Sequence, residues 1–431
     1  MNIEYFIARK VAGAGQKSFT RLIIRIAMVA VAISLSVMII TNSLVTGFKK
    51  EISEKIFGFW GHIHITEPTT NQSLMDVNPI TRNQDFYPHL DTVKQVDFLI
   101  YDEWMGEGKE RIEKSKGGVR HIQTFAIMPG IITVKREMEG IFLKGIGNDF
   151  DWQFMDQYLQ EGRKLNLPDS TRSREILISR QTATRLRVGV QDSFIVNFIV
   201  DKEPIKLKFY VAGIYKTGLE EYDRQFALID IRQIQRLMKW KEDEVSGFEV
   251  FVDDLDDMVP MAEYIYMEKL PHNLYAESIR SKRQEIFNWL DLQDINEVVI
   301  LGLMVIVAII NMVTALLILI LERTNMVGIL KALGASNWKI RRIFLYHAGL
   351  IIGVGLFWGN LIGIGLCYFQ DKFEFIRLSE ADYYLSVAPV ELNLWTILFL
   401  NLGTLLVTLL FLVIPSYLVT RISPVQAIRF K

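Results

Sequence analysis

With a single cysteine and six histidines, this 431-residue chain has little material for thiol or metal chemistry. Cys367 has no partner for an internal disulfide, and it falls inside an apolar run where a lone thiol reads as a small apolar filler. Charge of one sign is also missing: 48 Lys and Arg stand against 49 Asp and Glu, with a pI near 6.6, and no segment carries a dense basic stripe. That excludes a nucleic-acid partner, because neutralising phosphates needs such a stripe. No Ser/His/Asp or Cys/His set is recognisable and the carboxylates read as lying singly on polar faces. No catalytic residue is therefore assigned, and the chain is not expected to be an enzyme.

Two local patterns invite chemistry and are declined. His62 and His64 sit at alternate positions of a predicted strand, which puts both rings on one face, but no HExxH, cysteine pair or acidic ligand accompanies them. They read as a solvated strand face, and no metal site is expected. Gly13-Ala14-Gly15-Gln16-Lys17-Ser18 resembles a fragment of a phosphate loop, yet it lacks the Gly before Lys and no buried strand precedes it. A basic membrane-surface segment is the better reading, so the chain is expected to bind no nucleotide or other cofactor.

What the chain does have is long apolar runs. They extend from Ile26 to Val45, Val298 to Leu321, Ile343 to Tyr368 and Leu394 to Leu418, each long enough at about 1.5 Å per residue to cross a hydrocarbon core of about 30 Å. Arg25 lies at an end where it can snorkel, and Asn42, Asn311, Asn360 and Asn401 are the strongest polar insertions. Such spans offer little lining for a solute pore. The first run is too long for the apolar part of a secretory signal, and no small-residue cleavage site follows at Thr46, Gly47 and Phe48, so an uncleaved anchor is expected.

Orientation follows from Lys and Arg. Arg9, Lys10, Lys17, Arg21 and Arg25 precede the first span; Arg323, Lys331, Lys339, Arg341 and Arg342 follow the second; Arg421, Arg429 and Lys431 close the chain. These parts are assigned to the cytoplasm. The loop after the third span is acidic, with Asp371, Glu374, Glu380, Asp382 and Glu391 against Lys372 and Arg377, and it goes outside with the large insert.

The expected fold is a membrane protein of four transmembrane α-helices with a large α+β extracytoplasmic domain between the first and second. Its parts are a basic cytoplasmic segment over 1–25, the first transmembrane helix over 26–48, the external domain over 49–285 and a C-terminal membrane domain over 286–431 with spans near 298–321, 343–368 and 394–418. Within the insert, 61–66, 175–179, 193–200, 205–214, 225–229 and 247–252 read as strands and 230–240 as a helix. Two lobes are expected, with 50–128 and 253–285 flanking a strand-rich middle punctuated by Gly140, Gly145, Gly162, Gly189, Gly213 and Gly218.

The third span carries Gly349, Gly353, Gly355, Gly359, Gly363 and Gly365, spacings that let helix backbones approach closely. After the second span, Met326 to Leu333 offers Ile329, Leu330 and Leu333 on one helical face, Gly334 to close the helix and Lys331 near its end. A short amphipathic helix there suits docking into a groove of a soluble partner, or lying on the lipid interface. Gln284 to Asn296 mixes polar residues with Phe287, Trp289, Leu290 and Leu292, as in a helix running out of the membrane into the domain.

Several motifs resemble a known family. Ser43-Leu44-Val45-Thr46-Gly47-Phe48-Lys49-Lys50-Glu51-Ile52 is similar to the S-V-x-N-G-F-x-x-E-L transition of the lipoprotein-releasing permeases LolC and LolE, with Thr46 in place of the usual Asn. Val211-Ala212-Gly213-Ile214, then Glu221-Tyr222-Asp223 and Val245-Ser246-Gly247-Phe248, resemble the V-A-G-I, D and V-S-G run of that family. Glu322 to Ser336, with Ile329-Leu330-Lys331-Ala332-Leu333-Gly334-Ala335, is similar to the E-x-x-x-x-I-x-I-L-K-x-L-G-A segment of the FtsX-like and MacB-like permeases. The ending Ile422-Ser423-Pro424-Val425-Gln426-Ala427-Ile428-Arg429 is close to their I-x-P-x-x-A-L-R finish.

The resemblance implies a permease subunit of an ABC transporter in the bacterial inner membrane, extracting acylated lipoprotein for a periplasmic carrier. It implies a separate cytoplasmic ATPase that holds ATP and Mg, and a second permease, either another copy or a paralogue. Met326, Val327, Gly328, Ile329, Leu330, Lys331, Ala332, Leu333, Gly334 and Ala335 are then the ATPase-coupling element. Val37, Met38, Ile40, Leu44, Leu301, Met304 and Val305 are candidates to line an acyl-chain cavity between two subunits, and Gly349, Gly353, Gly355, Gly359 and Gly363 the helix packing. A MacB-like efflux component and an FtsX-like transmitter acting on a cell-wall hydrolase are the alternatives. One departure stands out: the family's LolC branch has a long carrier-capturing hairpin, whereas only Asp201-Lys202-Glu203-Pro204 stands at the turn here.

Overall fold

The computed structural model describes residues 18–102, 109–134, 137–168, 171–200 and 202–422. The 13–17 stretch, the basic residues Arg9, Lys10 and Lys17, and the closing motif from Ser423 on lie outside the described residues. The chain divides into two compact units, one of Met1–Lys50, Trp289–Arg377 and Val387–Lys431, the other of Glu51–Asn288 and Leu378–Ser386. The external unit thus takes a short piece of the loop after the third span, which the sequence reading kept within 286–431.

Among the described residues, four helices are long and apolar enough to cross a membrane. They are Ser18–Trp60, Gln284–Glu322, Asn337–Phe373 and Leu394–Ser416. The first three exceed the apolar runs that announced them, because polar flanks of good helix formers carry the backbone hydrogen bonds onward after hydropathy falls. The first and second span helices each run unbroken across the sequence boundary between the units.

The span unit has its own core. Val31, Leu35, Met38 and Ile39 of the first helix, Met312, Leu316 and Ile320 of the second, Phe344, Ile352 and Leu356 of the third and Leu412 of the fourth are buried together. Polar insertions are satisfied in place: Asn360 and Asn401 exchange amide hydrogen bonds of 2.7 and 2.9 Å between the third and fourth helices. Asn42 donates to Glu297 at 2.6 Å, and Asn311 donates to the Val307 carbonyl of its own helix. In lipid such groups have no water to turn to, so each finds a partner within the protein.

The external unit is built on one ten-stranded sheet. Its strands are β1 (Ile63–Thr66), β2 (Val119–Val134), β3 (Glu137–Ile146), β4 (Leu159–Gly162), β5 (Glu175–Ser179), β6 (Ser193–Val200), β7 (Glu203–Tyr215), β8 (Phe226–Asp230), β9 (Gly247–Val252) and β10 (Tyr275–Ser278). The order is β10-β1-β9-β2-β3-β8-β5-β7-β4, and β6 pairs with both β7 and β2. That last pairing closes β2, β3, β8, β5, β7 and β6 into a ring, filled by side chains such as Leu143, Leu177, Val196, Phe198 and Phe209. The long strand β2 serves two parts of the sheet: 119–125 pairs with β9, and 125–134 pairs with β3. The insert thus forms a single compact unit on one sheet, and β2 runs across the 128 boundary expected between lobes.

Strands 175–179, 193–200 and 247–252 have the bounds read from the sequence. In the β6–β7 hairpin Val200 pairs with Glu203, leaving two residues at the turn, and Lys202 takes the left-handed φ of 69° that such turns demand. A separate two-stranded hairpin, 97–102 with 109–114, had not been expected.

Two expectations fail on burial. His62 and His64 are not on a solvated face: β1 lies between β9 and β10 with all four of its residues buried, and His62 just before it is buried as well. Nor do the carboxylates all lie singly on polar faces, since Glu249, Asp223 and Asp230 are buried. His64, Glu249 and Asp230 lie on strands whose polar side is covered by other elements of the same unit, which period-2 alternation cannot reveal, and Asp223 is buried on the short helix Glu220–Gln225.

Candidate functional site: connecting helix, span seam and sheet anchor

The segment after the second span forms the helix Thr324–Ala332. Gly334, at φ +87°, ends it in a Schellman arrangement: the Ala335 N–H donates to the Leu330 carbonyl and the Gly334 N–H to the Lys331 carbonyl, both at 3.0 Å. The apolar residues do not share one face. Val327 and Gly328 are buried, and Met326, Leu330 and Ala335 pack against the span core, whereas Ile329 and Leu333 point outward at 48% and 79% exposure. Leu330 therefore belongs to intrachain packing, and the free apolar surface is Ile329 with Leu333, flanked by exposed Ala332 and Gly334.

Lys331 is likewise turned inward. Its Nζ donates to the carbonyls of Thr420 and Ile422 at 3.2 and 2.8 Å, tying the connecting helix to the end of the described chain. Partial desolvation lowers the pKa of this ammonium. The carbonyls it meets are those that a helix C-terminus leaves unpaired.

The glycines of the third span divide into two sets. A Cβ at Gly355 would stand 2.8 Å from Val31, one at Gly359 2.9 Å from the Ala32 carbonyl, and one at Gly363 3.2 Å from Ile39, so these three form the seam against the first span. Ser36 reinforces it by donating to the Gly359 carbonyl at 2.9 Å. Gly349 and Gly353 face open space and take no part in it. The four-residue spacing of the active set is that of one helix face.

Of the residues proposed to line a cavity, Met38 is buried in the span core, while Ile40, Leu301, Met304 and Val305 pack half-buried against that core. Val37 and Leu44 are half-buried as well. The first set thus fills intrachain packing. The apolar surface left open on the second span includes the row Val298, Val299, Leu303, Ile306 and Ile310.

In the external unit the end of the first span helix is held by a buried polar row. His64, Glu249 and Gln123 are register partners on β1, β9 and β2. Lys144 from β3 lies 2.6 Å from Glu249, and its Nζ also donates to the Phe59 carbonyl at 2.6 Å. Gln123 donates to Glu249 at 2.7 Å, and His64 Nε2 donates to the Trp60 carbonyl at 2.6 Å. Burial pushes the Lys144 ammonium down and the Glu249 carboxyl up, each opposed by the other's charge. Burial, aided by the nearby charge of Lys282, lowers His64 to about 3, which keeps it a neutral donor. The aromatic faces of Phe59 and Trp60 lie 5.2 Å from the same ammonium.

The motif residues of this unit are structural. Gly213 allows β7 to approach β4, since a Cβ there would lie 2.7 Å from the Arg163 carbonyl. Gly247 does the same against the Ile65 carbonyl at 2.5 Å. The Asp223 carboxylate accepts from Thr217 Oγ1 at 2.7 Å and from the Gly218 N–H at 3.2 Å, and Ser246 Oγ accepts from the Ile127 N–H at 2.9 Å. Sequence reasoning missed Lys144, because one lysine in the otherwise apolar end of its strand, 141–146, is the only signal it leaves. Among the described residues no cluster of three or more metal-binding side chains occurs.

Comparison with known proteins matches two regions, the first of which takes in the first span with most of the external unit. Residues 26–265 match the MacB-like periplasmic core domain and residues 298–424 the FtsX-like permease C-terminal domain. The chain is 22% identical to the lipoprotein-releasing system transmembrane protein LolC of Xylella fastidiosa, over 96% of each chain. It is 22% identical to the lipoprotein-releasing system transmembrane protein LolE of Haemophilus influenzae over 99% of each, and 23% identical to LolC of Buchnera aphidicola over 94% of this chain and 93% of that one. The extracellular domain of the noncanonic ABC-type transporter YknZ aligns at 14% identity over 37% of this chain and 81% of its own, with a TM-score of 0.27. This chain belongs to the family of permeases that join a MacB-like periplasmic core to an FtsX-like C-terminal domain, the family in which its LolC and LolE relatives also fall.

Proposed function

We propose that this chain is a membrane subunit of an ABC-type machine that draws acylated lipoproteins out of the bacterial inner membrane and passes them to a periplasmic carrier. The observation that carries this reading is the end-to-end alignment with LolC and LolE proteins through both matched regions. The termini and the connecting helix are assigned to the cytoplasm and the ten-stranded sheet to the periplasm.

ATP and Mg²⁺ belong to a separate ATPase, which docks on Ile329 and Leu333 of the connecting helix. A second permease, either another copy or a paralogue, completes the complex. The first and second span helices continue without a break into the external unit, so ATP-driven movement of the spans has a covalent path to the sheet. Each buried CH₂ of an acyl chain is worth about 0.8 kcal/mol, so pulling two or three chains from a bilayer requires such a drive. The open apolar row from Val298 to Ile310 on the second span is the surface these chains would meet.

Depletion of the protein in its host tests the reading. Pulse-labelled lipoproteins destined for another membrane should accumulate in the inner membrane within a generation. Normal lipoprotein sorting, with a defect confined to drug efflux or cell separation, would contradict it.

A further inference from the structure

The third and fourth span helices enclose an apolar groove of about 410 Å³ at the end of the bundle that carries the connecting helix. Trp338, Arg342 and Tyr346 supply one wall at i, i+4 and i+8; Leu406, Leu410 and Val413 supply the other at helical spacing. Over residues 338–346 the groove extends about 12 Å along the helix. Trp338 is 49% exposed and Leu410 68%, so the walls are open to the surroundings of the spans.

The groove's charge is turned toward its Trp338 end. Arg342 is its one charged wall, and the guanidinium lies 5.3 Å from the Trp338 ring. Among the described residues no carboxylate forms an ion pair with it. The segment 337–347 holds Lys339, Arg341 and Arg342 and no Asp or Glu. Arg341 is occupied otherwise, stacked 3.8 Å over the Tyr417 ring. A forked cation beside an interfacial tryptophan, leading into an apolar slot, matches a phosphate head with a hydrocarbon tail.

We propose that this groove is a binding site for one anionic phospholipid of the surrounding leaflet, with the phosphate on Arg342 and an acyl chain along Leu406, Leu410 and Val413. The charge complementarity selects an anionic lipid over a zwitterionic one, since a basic side chain at the membrane surface attracts net negative charge. The site depends on the spans crossing a bilayer and not on what the machine carries.

Full-length protein in mild detergent, titrated with phosphatidylglycerol or with phosphatidylcholine of the same chains, allows bound lipid to be counted by native mass spectrometry. Wild type should retain phosphatidylglycerol about fivefold better. Arg342→Gln should abolish that preference, and Leu410→Trp, which fills the slot, should lower retention of both lipids. Equal retention by wild type and Arg342→Gln, or no preference in wild type, would overturn the proposal. So would a Leu410→Cys variant that cross-links two copies through this groove, which would make its occupant a second protein.

Discussion

Lys144 Nζ lies 2.6 Å from Glu249 and, at the same distance, donates to the Phe59 carbonyl, with both charged side chains fully buried. One ammonium thus pairs its charge with a buried carboxylate and satisfies a carbonyl at the end of a 43-residue helix. Removing one partner of such a pair strands the other. Lys144→Met should cost about 3–5 kcal/mol of the external unit's stability, whereas Lys144→Met with Glu249→Met should recover most of it. Denaturant unfolding of the full chain in detergent, read by tryptophan fluorescence, checks both.

Acid should weaken the same region. Burial, assisted by the charges of Arg120 and Lys282 respectively, lowers His62 and His64 to about 3. An unfolded histidine takes up its proton near pH 6.5, so between pH 6.5 and about 3 the unfolded state binds protons that the native state refuses. Stability is complete above pH 6.5 and falls as pH drops, by about 1.4 kcal/mol per pH unit for each histidine. Glu249 and Asp223, pushed up by burial, act in the opposite direction. Comparing wild type with His62→Gln/His64→Gln at pH 7 and pH 5 cancels the carboxyls. The variant should lose less stability on acidification, and equal losses would refute the assignment.

The span seam predicts a contrast between two glycines of one helix. Gly359→Val drives side-chain atoms into the Ala32 carbonyl and Leu35, and overpacking of that kind costs about 1–3 kcal/mol. Gly349→Ala meets open space and should leave thermal unfolding in detergent unchanged or slightly improved.

On the connecting helix, Ile329→Asp and Leu333→Asp alter exposed residues, so each should abolish co-purification with the ATPase while the melting temperature stays at the wild-type value. Leu330→Asp puts a charge against the span core and should lower the melting temperature itself. Retained ATPase binding in both surface variants would move the docking site elsewhere.

The spans and several strands were legible because their signals are local. Runs of more than eighteen apolar residues have few other uses, and Glu175–Ser179 and Ser193–Val200 carry β-branched residues bounded by turn chemistry. Strand β2 was not legible. It holds Pro129, a residue rare inside sheets, yet Pro129 pairs with Phe142 and the ladder continues past it. The burial of His62 and His64, the inward turn of Leu330 and the pairing of Lys144 with Glu249 depend on which element covers a face. That is settled by tertiary packing, and neither alternation along a strand nor helical spacing records it. The glycine spacing was visible, but which three glycines meet the first span was not.

The most direct test of the central claim is transfer of cargo. The full-length chain is reconstituted with an ABC ATPase of its host, and with a paralogous permease if one is required, in liposomes carrying an acylated lipoprotein. ATP-dependent appearance of the lipoprotein on a soluble carrier is then scored, with Leu333→Asp as the uncoupled control. Release that needs ATP and is lost in the control is the predicted result. An assembly that hydrolyses ATP at full rate and leaves the lipoprotein in the liposomes would contradict the account.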